Sequence, residues 1–139
     1  MDIKTFTFPL STKGKTDLID ITDQVSTIIK DSGFAEGNAL IFVAGSTAGI
    51  TTIEYEPGLI KDYPQFFEKI IPSNVSYEHD KTWGDGNGYS HIRASLQGAS
   101  LTIPFTSSKP ILGTWQQVIF IEFDHRPRNR NVVVQLIGK

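Results

Sequence analysis

The feature that most constrains the fold of this chain is a succession of short segments rich in β-branched and aromatic residues. Segments of this kind, bounded by turn-forming residues, are typical of β-strands. They lie at Ile3–Phe8, Leu18–Ile21, Ala39–Val43, Thr51–Tyr55, Ser100–Phe105, Val118–Phe123 and Val132–Ile137. Helical patterns interrupt the series only twice, so the order does not repeat as the βαβ units of a parallel sheet. We therefore predict an α+β fold, mainly an antiparallel β-sandwich with two peripheral helices.

The two helical segments have recognisable boundaries. The first is predicted from Asp23 to Ser32, with Thr22 as the N-cap and Gly33 as the terminating residue. The second is predicted from Pro64 to Ile70, where apolar residues form a stripe and the proline suits the first turn. Both helices should pack on the sheets by one face.

Length and composition indicate a single folded domain over residues 1–139. A chain of 139 residues can bury one core and is too short for two. Thirteen Lys and Arg against fifteen Asp and Glu give a net charge of −2, so no overall positive field would attract nucleic acid or an anionic membrane. Cysteine is absent, which excludes disulfides, thiolate metal sites and a cysteine nucleophile, and agrees with a reducing compartment.

The N-terminal segment gives no targeting signal. Residues Met1 to Leu10 alternate apolar and polar side chains and lack the basic and apolar regions of a signal peptide. No apolar run approaches the ~20 residues that a membrane-spanning helix needs. We expect a protein of the cytoplasm.

The richest polar cluster lies in the segment 79–93. It is bounded by His79 and His91 and contains Asp85, while three glycines allow backbone conformations that bring side chains together. Imidazole nitrogen and carboxylate oxygen suit zinc, iron or manganese, although the spacing matches no standard zinc motif. We expect a polar pocket around this segment. The alternative is a glycine-rich surface turn with incidental histidines.

Two glutamates lie in apolar strand segments and need partners. Glu122 follows a strand that is apolar on both faces, where an unpaired carboxylate is costly, and Arg93 is a candidate partner. The carboxylate of Glu54 likewise needs a cation or a hydrogen-bond donor. It follows the small-residue segment 45–49, in which Ser46 and Thr47 offer hydroxyls and backbone amides to an anion. A structural ion pair and a plain tight turn are the alternatives.

Two further groups of polar residues precede strands. Trp115 and Gln116 stand at the entrance to the most apolar strand and could line a pocket, although a lone tryptophan more often caps a core. His125 lies in the basic segment 124–130, which is interpreted as a solvated turn, with an anion or subunit contact as the alternative.

Several separate motifs resemble one family over nearly the whole chain. These are Gly45-Ser46-Thr47-Ala48-Gly49-Ile50-Thr51-Thr52-Ile53-Glu54, His79-Asp80, Asp85-Gly86-Asn87-Gly88, Ser90-His91-Ile92-Arg93-Ala94-Ser95-Leu96 and Leu112-Gly113-Thr114-Trp115-Gln116. The family is that of the YjbQ-like proteins, which are largely uncharacterised.

The resemblance implies a small α+β fold with an antiparallel sandwich, a homotrimer, and a pocket with a bound metal ion. Some members are labelled secondary thiamine-phosphate synthase, for an activity that joins a pyrimidine diphosphate to a thiazole phosphate. His79 and His91 match the recurring histidines, and Glu54, Arg93 and Gln116 match recurring polar positions. One departure is that this chain has Gly45-Ser46-Thr47-Ala48 where many bacterial relatives have a histidine followed by Thr-Ser-Ala, so a third imidazole is missing.

Two functions remain open at this point. In the first, the protein is an enzyme acting on a small phosphorylated metabolite, possible products including thiamine phosphate. His79, His91 and Asp85 would hold a divalent metal ion, zinc first among the candidates, and Arg93 would bind phosphate oxygens. In the second, the same pocket binds a small molecule or metal without catalysis.

A symmetric homotrimer is expected from the resemblance. The apolar segment Val132–Ile137 adds support if it lies at a sheet edge, because a neighbouring subunit would then cover it. An internal strand in a monomer explains the same apolar run equally well.

Overall fold

The structure, a computed structural model, describes all 139 residues as eight strands and four helices. The strands are β1 (Asp2–Ser11), β2 (Asp17–Asp20), β3 (Glu36–Val43), β4 (Ala48–Glu54), β5 (Ser100–Thr106), β6 (Lys109–Pro110), β7 (Gln116–Glu122) and β8 (Asn129–Gly138). The helices are α1 (Thr22–Asp31), α2 (Pro57–Ile70), α3 (Glu78–Trp83) and α4 (Gly88–Gln97).

The strands form two antiparallel sheets. One sheet has the order β1-β8-β3-β5-β6 and the other the order β2-β7-β4. Residues of both sheets and of α1 share one buried cluster, in which Ile41, Val134 and Phe120 are fully enclosed. The predicted α+β fold with an antiparallel sandwich is therefore confirmed.

A second buried cluster covers the other face of the three-stranded sheet. There Ile119, Ile121 and Phe123 pack against Phe67 of α2 and Ala94 of α4. Strand β7 is thus buried on both faces, which explains why its sequence is continuously apolar. The helices α2 and α4 form a third layer of the molecule.

The helices differ from the prediction in number and in boundaries. The segment 79–93, where no helix is predicted, contains most of α3 and the first part of α4. Helix α2 begins at Pro57 and not at Pro64, because the Glu56 carboxylate accepts hydrogen bonds from the Gly58 and Leu59 amides and caps it there. Thr22 is the first residue of α1 and not its N-cap. Its hydroxyl instead accepts a hydrogen bond from the Val118 amide.

The last strand is not at a sheet edge. Strand β8 pairs with β1 on one side and with β3 on the other. Its apolar character therefore reflects burial within one chain, and the edge-strand support for a homotrimer is wrong. None of the four helices has the length and apolar character needed to cross a membrane.

Candidate functional site

One cavity of about 390 Å³ gathers most of the chemically active side chains; we call it the histidine pocket. It opens where α3 and α4 face the start of β4 and the start of β8. Its lining residues are Gly45, Ser46, Thr47, His79, Trp83, Asp85, Asn87, His91, Arg128 and Arg130. The predicted polar pocket around the segment 79–93 is present. It also contains two arginines, Arg128 and Arg130, that were not predicted to lie there.

Two short helices position the histidines. Helix α3 ends at Trp83 and is capped by Gly84, whose left-handed φ of 71° favours glycine, and α4 begins four residues after Gly84. The Asp80 carboxylate joins the two helices, because it accepts hydrogen bonds from the amides of Tyr77 and Gly88, both at 3.0 Å. These two hydrogen bonds lower the pKa of Asp80. Asp80 is therefore an organising residue of the loop between the helices.

The two imidazoles lie against each other. The ring centroids of His79 and His91 are 4.3 Å apart, and His79 Nδ1 lies 3.7 Å from Asp85 Oδ1. His79 Nδ1 is buried without a hydrogen-bond partner. Burial and the neighbouring His79 lower the pKa of His91. At neutral pH His91 therefore presents a neutral ring, the form that binds metals.

Arg130 and Arg128 form the opposite wall, each paired with a fully buried carboxylate. Arg130 donates from Nε and Nη2 to Glu122 at 2.7 and 2.6 Å, and from Nη2 to the Thr47 hydroxyl at 2.7 Å. Arg128 donates from Nε to Asp124 at 2.8 Å. Both arginines lie in the segment interpreted from sequence as a solvated turn. That interpretation is wrong, because the two buried carboxylates bring the arginines inward.

Asp124 is ionised in this arrangement. Burial opposes its ionisation, but hydrogen bonds from Arg128 and from the His125 amide outweigh burial and lower the pKa of Asp124 below its ordinary value. Glu122 also accepts a hydrogen bond from the Thr12 hydroxyl at 3.0 Å. The expected pairing of Glu122 with Arg93 is wrong, since Arg130 is its partner.

The donor set for a metal is partly assembled. Two imidazoles and one carboxylate lie together, and the lone pair of the unpartnered His79 Nδ1 is of the kind that binds a metal. No group of three His, Cys, Asp or Glu side chains converges closely enough to hold an ion by itself. His79 and His91 thus fit two positions of a coordination sphere that other ligands would complete.

Four residues that the sequence predicted for the site lie outside the histidine pocket: Arg93, Glu54, Trp115 and Gln116. Arg93 is buried and donates to the Ile71 carbonyl, the Thr16 hydroxyl and Glu68, at 2.7 to 3.0 Å. It lines a separate cavity with Lys15, Glu68 and Tyr89, among others. The structure does not bring Arg93 into the histidine pocket.

Glu54, Trp115 and Gln116 lie at the far end of the three-stranded sheet. Glu54 is opposite Gln116 in register, whereas the pocket begins next to Ala48, six residues and roughly 20 Å away along β4. Gln116 donates to the Thr52 hydroxyl, and Trp115 is 71% exposed. None of the three lines the histidine pocket of the same chain. Ser46 and Thr47, in contrast, are part of it.

Comparison with known proteins identifies relatives of the same length. A family model described as UPF0047 protein YjbQ-like matches residues 6–139. A UPF0047 protein of Methanothermobacter thermautotrophicus is 39% identical over 139 residues, which cover 100% of this chain and 95% of the relative. A UPF0047 protein of Archaeoglobus fulgidus is 38% identical over 92% of this chain and 97% of its own.

Solved structures have the same fold. A YbjQ-like protein of unknown function from Sulfolobus solfataricus aligns with a TM-score of 0.89 and 32% identity, over 99% of this chain and 100% of that one. An uncharacterised conserved protein from Clostridium acetobutylicum aligns with a TM-score of 0.86 and 37% identity, over 95% of this chain and 99% of that one. Fold and sequence thus agree on one family.

Proposed function

This chain belongs to the UPF0047 protein YjbQ-like family, and from that premise we propose that its histidine pocket is the site of a metal-dependent enzyme acting on a small phosphorylated molecule. The observation that carries the proposal is the composition of one cavity. Two imidazoles, a carboxylate, two guanidinium groups and the hydroxyls of Ser46 and Thr47 line the same space. Such a set of convergent polar groups is typical of a binding site for a charged ligand.

The charges of the pocket favour joint binding of a metal ion and a phosphate. Arg128 and Arg130 are accompanied by three carboxylates, those of Asp85, Glu122 and Asp124. With a neutral His91 these groups do not by themselves supply an excess of positive charge for a phosphate. A divalent ion bound to His79 and His91, with other ligands completing its coordination sphere, would provide it and would stabilise negative charge on phosphate oxygens.

The arginines retain donors for an anion. Arg128 uses Nε and Nη2 for Asp124, and Arg130 uses Nε and Nη2 for Glu122 and Thr47. Neither Nη1 group donates a hydrogen bond within the chain, so both have N–H groups available for phosphate oxygens. Arg128 and Arg130 therefore take the role that the sequence suggested for Arg93.

Formation of thiamine phosphate is the specific reaction we propose to test. Joining a pyrimidine diphosphate to a thiazole phosphate expels pyrophosphate, and guanidinium groups beside the departing oxygens stabilise the charge that develops there. The chain's own contribution is to bind and orient the diphosphate through Arg128 and Arg130. We also propose that the protein acts in the cytoplasm as a homotrimer.

The first experiment measures binding. Calorimetric titration with inorganic phosphate, with and without one equivalent of zinc, should show binding that zinc strengthens. His91→Ala should weaken zinc binding by at least about tenfold, which is about 1.4 kcal/mol. His125→Ala is the matched control, because His125 does not line the pocket. Equal effects of the two variants, or no binding of phosphate, would contradict the proposal.

The second experiment separates catalysis from binding. Purified zinc-loaded protein is supplied with the two thiamine-phosphate precursors, and product is measured for the wild type and for Arg128→Gln. Product formed by the wild type but not by Arg128→Gln would support the proposed enzymatic function. Stoichiometric metal and phosphate binding without turnover would favour the non-catalytic binding protein instead.

A further inference from the structure

A second cavity continues the histidine pocket. It has a volume of about 250 Å³ and shares Gly45, Ser46 and His91 with the first cavity. The rest of its wall is formed by Ala48, Ala94, Ser95, Gly98 and Ala99. We call this cavity the small-residue pocket. A ligand bound beside His91 in the histidine pocket would therefore lie at the border of the small-residue pocket.

The small-residue pocket is suited to an uncharged group. It contains no Lys, Arg, Asp or Glu, so a charged part of a ligand would lose hydration there without gaining a partner. Its wall comes from the start of β4, one face of α4 and the turn before β5, and every residue of it except His91 is small. A compact organic group would therefore fit where a long or charged one would not.

Asn87 provides an independent indication of a ligand. The residue is only 4% exposed and lines the histidine pocket, yet its Oδ1 accepts no hydrogen bond. An unpaired buried acceptor costs about 1–3 kcal/mol, and native proteins rarely keep one without a reason. A hydrogen-bond donor on a bound molecule would satisfy it.

We propose that the ligand has two parts, a phosphate in the histidine pocket and a compact, uncharged organic group in the small-residue pocket, and that it carries an N–H or O–H donor for Asn87 Oδ1. This inference rests on the proposed function, since it assumes that the histidine pocket binds phosphate. It adds the class of molecule: a phosphorylated small ring or short branched chain bearing an amine or a hydroxyl. Ser95 and Asn87 are then determinants of specificity.

The test uses three kinds of probe on zinc-loaded protein. Inorganic phosphate occupies only the histidine pocket, phenyl phosphate adds a compact ring, and the three isomers of aminophenyl phosphate add a donor at different positions. We expect phenyl phosphate to bind at least about tenfold tighter than inorganic phosphate, or about 1.4 kcal/mol. At least one amino isomer should bind tighter still by a similar factor.

Two variants separate the parts of the ligand. Ser95→Leu places a larger side chain in the small-residue pocket from an exposed helix position, and should abolish the advantage of phenyl phosphate while leaving inorganic phosphate within about twofold. Ser76→Leu, on an exposed loop away from both cavities, is the matched control. Asn87→Leu should abolish only the advantage of the amino group. It should not lower the thermal midpoint, because it removes an unpaired buried acceptor.

Three outcomes overturn the inference. If inorganic phosphate binds but phenyl phosphate gains nothing, the small-residue pocket is not a ligand site, while the proposed function stands. If Asn87→Leu weakens zinc binding as much as His91→Ala does, Asn87 is a metal ligand and not a partner of an organic donor. If inorganic phosphate does not bind at all, the proposed function and this inference fail together.

Discussion

At the scale of single residues, the unusual feature is a pair of fully buried carboxylates next to the pocket. Glu122 ends the most apolar strand and Asp124 follows it by two residues. Their partners, Arg130 and Arg128, lie at and just before the start of β8. A buried ion pair adds little net stability, but breaking one is costly because the remaining charge is left alone. The two pairs therefore constrain the positions of the arginines that the pocket needs.

Replacing Glu122 with Gln should show this cost. The change leaves the mostly buried Arg130 without its carboxylate, so we expect a loss of about 3 kcal/mol in the free energy of unfolding. Urea denaturation measures it. Glu36→Gln, in the exposed pair with Lys139, should change stability by less than about 0.5 kcal/mol. A similar small change for both variants would mean that the buried pair does not hold Arg130.

Asp124→Asn should make a pH-dependent difference. Because the pKa of Asp124 is lowered on folding, its contribution to stability is complete above the ordinary pKa of 3.8 and is lost as the pH falls through the lower, folded value. At pH 7 we expect the variant to be less stable by about 2 kcal/mol. Thermal melts between pH 7 and pH 2 should show that the thermal midpoints of the wild type and the variant become equal in acid. A difference in thermal midpoint that stays constant across that range would contradict the lowered pKa of Asp124.

The sequence contained enough information to find these arginines, but the pattern was interpreted as a solvated turn. Two carboxylates two positions apart at the end of an apolar strand require cations, and Arg128 and Arg130 have the same spacing across the turn. The phosphate-binding role expected for Arg93 followed from its match to a recurring polar position of the family, and its pairing with Glu122 from its place just beyond His91. Helical geometry directs a residue two positions from His91 to a different side of α4, which is where Arg93 meets Glu68 and Thr16.

At the scale of elements, the contact of α3 with α4 determines the separation of the two histidines. Gly88, the first residue of α4, packs against Tyr77, the residue before α3. A Cβ added at Gly88 would lie 2.6 Å from Tyr77 Cβ. Since neither atom is at the end of a flexible side chain, a larger residue at position 88 must move the helices apart.

Gly88→Ala should therefore disturb the pocket even though alanine is the better helix former. We expect a loss of about 1–3 kcal/mol in stability and a weaker affinity for zinc. Gly113→Ala is the matched control, because its nearest contact would be an ordinary 3.7 Å. Differential scanning calorimetry and zinc titration of both variants test this, and unchanged zinc affinity in Gly88→Ala would count against it.

The strands were predicted more successfully than the helices, for a physical reason. All seven predicted segments form strands, because each combines β-branched or aromatic residues with a face that is at least partly buried. The helices α3 and α4 were missed because Gly84, Gly86 and Gly88 lie between them or at the start of α4, and closely spaced glycines are typical of loops. Two of those glycines, Gly84 and Gly86, do have positive φ and form the turn, whereas Gly88 begins a helix in which close packing is the requirement.

At the scale of the whole molecule, large apolar side chains are left exposed on the helical layer and at the far end of the three-stranded sheet. Phe66 of α2, Leu96 of α4 and Trp115 are 55%, 61% and 71% exposed. Exposed apolar surface of this kind is often covered by another subunit. These side chains are candidate subunit contacts in the proposed homotrimer.

Light scattering in dilute solution tests the assembly. Three chains of 15.4 kDa give an expected mass of about 46 kDa, with closed threefold symmetry preventing further growth. A mass near that of one chain would contradict the trimer. A dimer would contradict the threefold symmetry that the family resemblance implies.

The order of the five-stranded sheet has a consequence for how the protein is made. Strand β8 lies between β1 and β3, so the first and third strands of the chain never pair with each other. On the ribosome, β1 and one edge of β3 stay unpaired until residues 129–138 are synthesised. Pairs such as Ile3 with Ile137 close very long loops, which slows folding and prolongs the time for which these edges stay unpaired. The nascent chain is thus most exposed to aggregation, and most dependent on chaperones, before its final strand emerges.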